Sequence, residues 1–360
     1  RMDAPFAEVG RPVGLEQLLR HPLELALAHL GKIPALGTGR GVLIEEGGDL
    51  QLVPDALAEA AGKLDEAVRY INNHGFGPFI PYSMESLNDE EKDVLSEKGL
   101  LPEGEGLLDE NSRLYLNEDG SLAIRTNVHD HLAFLGFSGG NTVFSLWKRT
   151  ARLADEASDI LDYAFDREFG YLTASPQFTG SGMKMVSLLF LPGFALHDRI
   201  GSLSEFLELR GFHLAPAAGK ADDRLPFYLL ENTRSLGIRE VDYVSELDKI
   251  LQEITEEEKK LWKDTFESSE EELRDRIWRA LGTLKYARRM SRKEALYLAG
   301  LIRMGINADM IPDEDGLTFY RLYSLIPDSQ VALISHTAPE DRGNMEKWRS
   351  AFMRDVLKNL

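Results

Sequence analysis

The sequence lacks cysteine, is short of basic residues and has no long apolar run. With no cysteine, disulfide bonds and thiolate catalysis are excluded. Lys and Arg total 41 against 60 Asp and Glu, and the formal charge of −19 argues against binding to nucleic acid or to an anionic membrane, since both need a basic face. No apolar run approaches the ~20 residues of a membrane span. The first residues, RMDAPFAEV, have no signal-peptide pattern, so we expect a cytoplasmic protein.

The remaining composition is typical of a globular protein with room for more than one domain, with 43% apolar and 28% charged residues. The patterning predicts an N-terminal helical or mixed part over residues 1–106, a sheet domain over 107–265 and a helical domain over 266–360. A loop-rich stretch marks the first boundary, and it is predicted to hold one short helix that begins near Asn88.

Hydrophobic periodicity predicts the main elements. Apolar residues at helical spacing indicate an amphipathic helix over Pro54–Asn72, and Asn117–Gly120 separates two short runs that read as a β-hairpin. A long helix capped by Asn141 is expected to bury a face that includes Phe144. The last helix places Trp348 on an apolar face that is either core or a dimer interface. Strands that alternate with helices, followed by helices alone, indicate an α+β fold.

The stretch Asp166–Pro192, DREFGYLTASPQFTGSGMKMVSLLFLP, carries the most specific pattern. Pro176 ends a short strand, Gly180 and Gly182 permit turns, and an apolar strand typical of a buried position follows. Such a loop is either a plain tight turn or a segment whose backbone approaches a ligand. The two glycines alone favour the plain turn.

This stretch resembles the catalytic domain of the ATP:guanidino phosphotransferases, above all the McsB-type bacterial protein-arginine kinases, whose pattern reads roughly GYLTxCPxNxGTGxRASVxxxLP. The resemblance continues in order, because Asn127–Leu132 is similar to the family's NEEDHxR, Asn232–Gly237 to its SNxxxLG and Glu271–Leu284 to the McsB-type helical domain. It implies a guanidino-kinase (glutamine-synthetase-like) antiparallel sheet flanked by helices, a small helical N-terminal part and a C-terminal helical domain.

The resemblance also implies a chemistry, phosphoryl transfer from ATP to a guanidinium, in which arginines and Mg²⁺ neutralise the phosphates and carboxylates hold the guanidinium. The catalytic Glu and the Arg of NEEDHxR correspond to His129 and Ala133, with Asp130 kept between them. An imidazole cannot align a planar cation as a carboxylate does, and alanine carries no charge. We expect these positions to be vestigial. Because His129–His131 points alternate side chains apart, we expect no metal site there.

The glycine loop departs from the family in the same direction. Its reactive Cys corresponds to Ser175, also predicted vestigial, and its Asn to Phe178, whose ring we expect to fill the nucleotide cleft. Its Arg corresponds to Lys184, which keeps the charge without the bidentate geometry. Lys184, Gly180 and Gly182 are therefore the vestigial nucleotide-binding positions.

Two further arginine motifs of the family have no clear counterpart. The RGxxGE loop should follow Gly211, where the sequence reads HLAPAAGK, and either alignment removes both the Arg and the acid. The N-terminal SSRIRLARN motif is absent, and its nearest candidate, Val42–Asp49, carries acids instead. Each arginine lost from a phosphate clamp typically costs about 10²-fold or more in rate, so we expect little catalysis.

In the McsB-type C-terminal domain, a phosphoarginine-reading pocket uses an Arg-Asp pair after a Pro. Pro339–Arg342 looks similar, but Gly343 stands where the Asp should follow. Arg342, Arg349 and Arg354 are candidates for a remaining anion site, and ordinary surface charges on a helix are the more frequent explanation.

The resemblance and its departures together predict a catalytically impaired pseudokinase, with a regulatory or scaffolding role in protein quality control. Its expected partners are proteins, such as a true arginine kinase, its activator or a Clp-type chaperone, and a homodimer is possible through the last helix. No cofactor is expected. The alternatives are an active guanidino kinase with a rewired site, which would use ATP and Mg²⁺, and a phosphoarginine reader without catalysis.

Overall fold

A computed structural model describes residues 41–48, 57–76, 78–102, 108, 111–128, 130–139, 142–174, 176–217, 226–314, 316 and 318–358. The strands in this part of the chain are β1 (Gly41–Gly48), β2 (Ile80–Ser83), β3 (Arg113–Leu116), β4 (Leu122–Thr126), β5 (Leu132–Gly139), β6 (Phe165–Asp166), β7 (Gly170–Tyr171), β8 (Met183–Phe190), β9 (Phe212–Pro216) and β10 (Phe227–Asn232). An eight-stranded sheet has the order β2-β3-β4-β5-β1-β8-β10-β9, and its paired strands are antiparallel. Strands β6 and β7 form a separate hairpin.

Helices flank this sheet and make up the last third of the chain. They are α1 (Leu57–Asn73), α2 (Asp89–Glu97), α3 (Val143–Ser158), α4 (Pro192–Leu196), α5 (Ile200–Glu208), α6 (Glu240–Tyr286), α7 (Arg292–Asn307), α8 (Thr318–Ser324), α9 (Asp328–Ser335) and α10 (Arg342–Val356). Among the described residues, none of these helices combines the length and the apolar character that a bilayer crossing requires.

Local sequence signals set several of these boundaries. The Asn88 side chain accepts a hydrogen bond from the Glu91 amide at 2.8 Å, and the Glu91 carboxylate accepts one from the Asn88 amide at 3.0 Å, so a capping box starts α2 where the sequence predicted it. The Ser291 side chain caps α7 by accepting a hydrogen bond from the Glu294 amide at 3.2 Å. The predicted hairpin forms between β3 and β4.

The buried face of α3 differs in part from the predicted one, and the apolar face predicted for α10 is partly exposed. In α3, Val143 and Leu146 are buried while Phe144 is 37% exposed, because the helix packs against Gly136, where an added Cβ would lie 2.9 Å from Leu146. In α10, Met345 is buried and Trp348 is 43% exposed. Both helices carry apolar residues on two adjacent stripes, and tertiary contacts decide which stripe is buried. Asn141, the predicted cap of α3, lies outside the described residues.

The sheet has two different faces. Leu122 and Phe134 belong to the cluster that faces α1 and α3, whereas Ala123, Ala133 and Leu135 belong to the cluster that contains α2. In β8 the alternation continues: every second side chain is buried against α6, and Lys184, Val186 and Leu188 lie half-buried on the same side of the sheet as Ala133. We call this side the inner face.

The sheet crosses the domain boundary predicted at residue 106. Strands β1 and β2 precede that residue, yet β1 lies in the middle of the sheet, between β5 and β8. Helix α6 likewise continues past residue 265, with a non-helical conformation at Ser269. Earlier in α6, the buried Glu258 carboxylate accepts hydrogen bonds from the amides of Gly193 and Phe194 at the start of α4, and burial raises its pKa to about 7.

The C-terminal helices contact the sheet region through the end of α2. Glu97 pairs with Arg292 at 3.3 Å and accepts a hydrogen bond from Ser329 of α9. The neighbouring Lys98 ammonium donates to the Gln330 amide oxygen at 2.9 Å. A polar network therefore connects α2 with α7 and α9.

Lys98 should make stability depend on pH. Burial lowers its pKa from 10.5 to about 7, and the Glu97 carboxylate opposes the shift. Between these values the unfolded chain binds the proton and the folded chain does not, so the free energy of unfolding rises as pH rises through this window. We expect the free energy of unfolding of the wild type, relative to that of Lys98→Met, to rise by about 1 to 2 kcal/mol between about pH 6 and pH 9. Urea unfolding of both proteins measures this difference. Lys92→Met, on the same helix, is the control, and equal curves for wild type and Lys98→Met would contradict the prediction.

Candidate functional site

The glycine loop is a tight structure held by its own backbone. Tyr171 and Gly180 exchange two hydrogen bonds, at 2.9 and 3.0 Å. Gly180 has a φ of +121°, and a Cβ there would lie 2.8 Å from the Leu236 Cα and from the Ser235 carbonyl oxygen. Any side chain at this position would therefore clash with the backbone of the 232–237 segment. The predicted turn role of Gly180 is explained by this close approach, and Gly182 also has a positive φ, of +68°.

The 232–237 segment fixes the start of β8. The buried Asn232 amide oxygen accepts a hydrogen bond from the Met185 amide at 2.6 Å, and its nitrogen donates to the Met183 carbonyl at 3.0 Å. The Ser235 amide donates to the Gln177 carbonyl at 3.2 Å. These contacts hold the backbone of β8 and of the glycine loop in place. The residues that resemble the family motif in this segment therefore have a structural role.

Lys184 and Phe178 occupy neighbouring positions on the inner face. The Lys184 ammonium lies 5.9 Å from the centre of the Phe178 ring, which is a cation–π geometry. Both side chains are half-buried. The two departures from the family pattern, Phe178 and Lys184, therefore contact each other. The Phe178 ring interacts with the ammonium that stands at the position of the family's Arg.

The loop around Asp130 is tied to the glycine loop. The Asp130 carboxylate accepts a hydrogen bond from the Ala174 amide at 2.6 Å, and Asn127 has a left-handed backbone with φ of 50°. The predicted vestigial residues His129 and Ser175 lie outside the described residues. Asp130 therefore lies beside the glycine loop, and its carboxylate binds the backbone amide of Ala174.

Ala133 lies in apolar packing. It is 3% exposed in the cluster with Leu95 and Leu135, and across β4 its register partner is Arg125, which is 7% exposed. The sequence analysis did not single out Arg125, although a charged residue within an otherwise apolar strand is a recognisable signal. A cation therefore lies one strand away from the position where the family has its Arg.

The two positions that can correspond to the Arg of the RGxxGE loop, Leu214 and Ala215, also lack a charge. Leu214, one of two candidates for the Arg of the RGxxGE loop, is buried in the opposite cluster, and the other, Ala215, is half-buried. Glu231 of β10, which is paired in register with Val186, adds a half-buried acid to the inner face. In β1, the register places Glu45 opposite Lys184. Glu231 thus places an acid on a surface that would have to attract phosphate.

Two family descriptions match this sequence. Residues 77–261, half of the chain, match "ATP:guanido phosphotransferase, C-terminal catalytic domain". The chain belongs to the ATP:guanido phosphotransferase family. Residues 270–360 match "Protein-arginine kinase McsB C-terminal domain", so the resemblance inferred from the motifs is confirmed in both parts.

Relatives of this guanido phosphotransferase include protein-arginine kinases. That of Clostridium kluyveri is 29% identical over 275 residues, which are 75% of this chain and 78% of the relative. That of Syntrophomonas wolfei is 34% identical over 200 residues, or 55% and 56% of the two chains.

Solved structures of guanidino kinases share the fold. Lombricine kinase aligns with a TM-score of 0.51 at 17% identity over 67% of this chain and 70% of that chain. The duplicated taurocyamine kinase from Schistosoma mansoni aligns with a TM-score of 0.53 at 19% identity over 61% of this chain, and only 33% of that longer chain is covered. The predicted α+β fold, an antiparallel sheet flanked by helices with a helical C-terminal region, is confirmed.

In this family member, the three arginines predicted as an anion site have different environments. Arg349 is 1% exposed, and its guanidinium donates to the carbonyls of Ile326 and Met290 at 3.0 and 3.1 Å and to the Asp328 carboxylate. Burial lowers its pKa, and Asp328 opposes that shift. Arg349 is therefore committed to interior contacts and is not available to a surface anion.

The other two arginines also do not converge with Arg349 on a shared anion. Arg354 donates to the Ala287 carbonyl and to the Ser350 hydroxyl, which joins α10 to the end of α6. Arg342 is exposed at the start of α10, whose cap is the Asp341 carboxylate, accepting from the Asn344 amide at 3.2 Å. Of the three, Arg342 alone keeps a free surface position. Within the described residues, no cluster of three or more His, Asp or Glu side chains could hold a metal ion.

Proposed function

We propose that this protein is a catalytically impaired protein-arginine-kinase-like pseudokinase that acts by binding, as a regulatory or scaffolding protein in protein quality control. The observation that carries the proposal is the apolar packing of Ala133, at the position of the family's Arg. The charge is not merely missing there. The site around it has been filled with hydrophobic side chains, so that a phosphate would be excluded from it.

The remaining charges of the inner face support the same conclusion. A nucleotide triphosphate with Mg²⁺ needs several cations around its phosphates. Lys184 is engaged by the Phe178 ring, Arg125 is buried as the register partner of Ala133, and Glu231 adds an acid. The residues described on this face do not fit ATP and Mg²⁺.

The direct test is a transfer assay. We expect the purified chain, incubated with Mg-ATP and a protein substrate, to give no phosphoarginine by mass spectrometry, with the protein-arginine kinase of Clostridium kluyveri as the positive control. We also expect millimolar nucleotide to leave the melting temperature unchanged, since a ligand that binds the native state would raise it. Phosphoarginine above the no-enzyme background would refute the proposal.

One observation favours the second candidate, an active kinase with a rewired site. Arg125 lies opposite Ala133 in register and has the charge that this position lost. If Arg125 and Lys184 bind phosphate together, Mg-ATP should stabilise the wild type, and Arg125→Met should abolish the stabilisation. A phosphoarginine reader would instead bind free phosphoarginine through Arg342, with loss on Arg342→Ala.

The partners belong to the proposal as well. A true arginine kinase, its activator or a Clp-type chaperone remain predictions, as do a homodimer and a cytoplasmic location. A protein that has kept the fold and replaced the charges of the cleft is suited to binding the same assemblies as its active relatives without modifying them.

A further inference from the structure

Basic residues are concentrated in one short segment of this acidic protein. The whole chain has 41 Lys and Arg against 60 Asp and Glu. In the last turns of α6, from residue 274, and just beyond its end the balance is reversed, and Asp275 is the single acid between residues 274 and 289. The basic residues of this segment are Arg274, Arg276, Arg279, Lys285, Arg288 and Arg289. Such a reversal creates a local positive potential on a protein whose net negative charge otherwise repels acidic partners.

Two aromatic side chains project from the same part of the helix. Trp278 is 50% exposed and Tyr286 is 75% exposed. Between them lies Gly282, and a Cβ built at this position would have no atom within 4 Å. Residues four apart share one face of a helix, so Trp278, Gly282 and Tyr286 form a row in which the glycine leaves a notch between two rings. We call this row and its basic rim the aromatic stripe.

Arg274 and Arg279 of the rim are accessible, whereas Arg276 is half-buried and donates a hydrogen bond to the Tyr297 hydroxyl at 3.2 Å. Arg274 pairs with Glu270 at 2.8 Å and Arg279 with Asp275 at 2.6 Å, but these side chains are 51% and 77% exposed, so both pairs are solvated. Ion pairs at helical spacing on a surface are worth only a few tenths of a kcal/mol and exchange readily for a partner's carboxylates. Trp, Tyr and Arg are also the residues enriched where binding energy is concentrated.

The core of the C-terminal region does not use the stripe. The opposite face of α6 contributes Leu273, Ile277, Leu281 and Leu284 to the large C-terminal cluster. Because that face already anchors the helix in the core, Trp278 and Tyr286 are not needed to hold the helix in place. An exposed apolar row rimmed by polar residues is typical of an interaction surface.

We propose that the aromatic stripe binds an acidic segment of a partner protein, with an apolar side chain of that segment inserted in the notch at Gly282 between Trp278 and Tyr286. Charge complementarity selects this occupant. A symmetric dimer through the stripe would bring two basic surfaces together, which is unfavourable. The inference does not depend on whether phosphoryl transfer is lost.

Fluorescence anisotropy with a labelled peptide that alternates Glu with Leu tests the proposal on the full chain. We expect binding that weakens with salt and is lost for the same peptide with Gln in place of Glu. Trp278→Ser combined with Tyr286→Ser should weaken binding about tenfold or more. Gly282→Leu fills the notch without a clash and should weaken peptide binding to a similar extent. Circular dichroism should show that the fold of this variant is unchanged.

Trp348→Ser is the matched control, because this residue is also an exposed Trp on a C-terminal helix, 43% exposed on α10. It should leave binding unchanged. Equal binding by all variants, binding of the Gln peptide, or no binding of the Glu peptide would overturn the proposal. So would preferential binding of single-stranded DNA, or self-association that Gly282→Leu abolishes in sedimentation velocity.

Discussion

Arg349→Met should lower the free energy of unfolding by about 3 to 5 kcal/mol, a large effect for a single substitution. The buried guanidinium satisfies the carbonyls of Ile326 and Met290 and pairs with Asp328. Met fills a similar volume but donates no hydrogen bond, so two buried acceptors lose their partner. Chemical denaturation followed by circular dichroism measures the loss.

Arg342→Met is the control for the loss of a positive charge on the same helix. Arg342 is exposed, so its replacement should change stability by less than about 0.5 kcal/mol. If Arg349→Met were as stable as Arg342→Met, the buried network would be energetically unimportant. Arg349 would then be open again to a role in anion binding.

Ala133→Arg, which restores the residue of the family motif, should destabilise the protein by about 3 kcal/mol or more and should not create nucleotide binding. Ala133 is 3% exposed in an apolar cluster, and its register partner is the cation Arg125. The new guanidinium would be desolvated and would face a like charge. Thermal unfolding with and without Mg-ATP measures both effects.

Ala133→Leu separates size from charge. Overpacking alone should cost about 1 to 3 kcal/mol, so Ala133→Arg should be the less stable of the two variants. A stable Ala133→Arg protein whose melting temperature rises with Mg-ATP would show that the cleft still accepts nucleotide. That result would favour the active-kinase alternative over the pseudokinase.

Signals confined to a few residues predicted structure well. The cap at Asn88 and the hairpin at Asn117–Gly120 needed no knowledge of distant contacts. The buried faces of α3 and α10 could not be chosen in this way, because each helix has two apolar stripes. The neighbours that select one of them, such as Gly136 for α3, come from elsewhere in the chain.

The candidate site shows the same division. The motifs identified the loop and its missing charges, but three features depend on contacts across the fold: the burial of Arg349, the pairing of Lys184 with Phe178 and the placement of Arg125 beside Ala133. Each involves partners on different elements or strands. Arginine is usually exposed, so its type alone predicts the wrong environment for Arg349.

Helix α6 also sets a rule for how this sequence can change. The middle of the helix is fixed by Glu258 at the start of α4, and its last part by Ile277 in the C-terminal cluster. Each residue turns a helix by about 100°, so one inserted residue between these anchors would rotate the aromatic stripe away from its present direction. The non-helical Ser269 is the place where such a change in phase could be absorbed. Insertions and deletions in this helix should therefore be confined to the neighbourhood of Ser269.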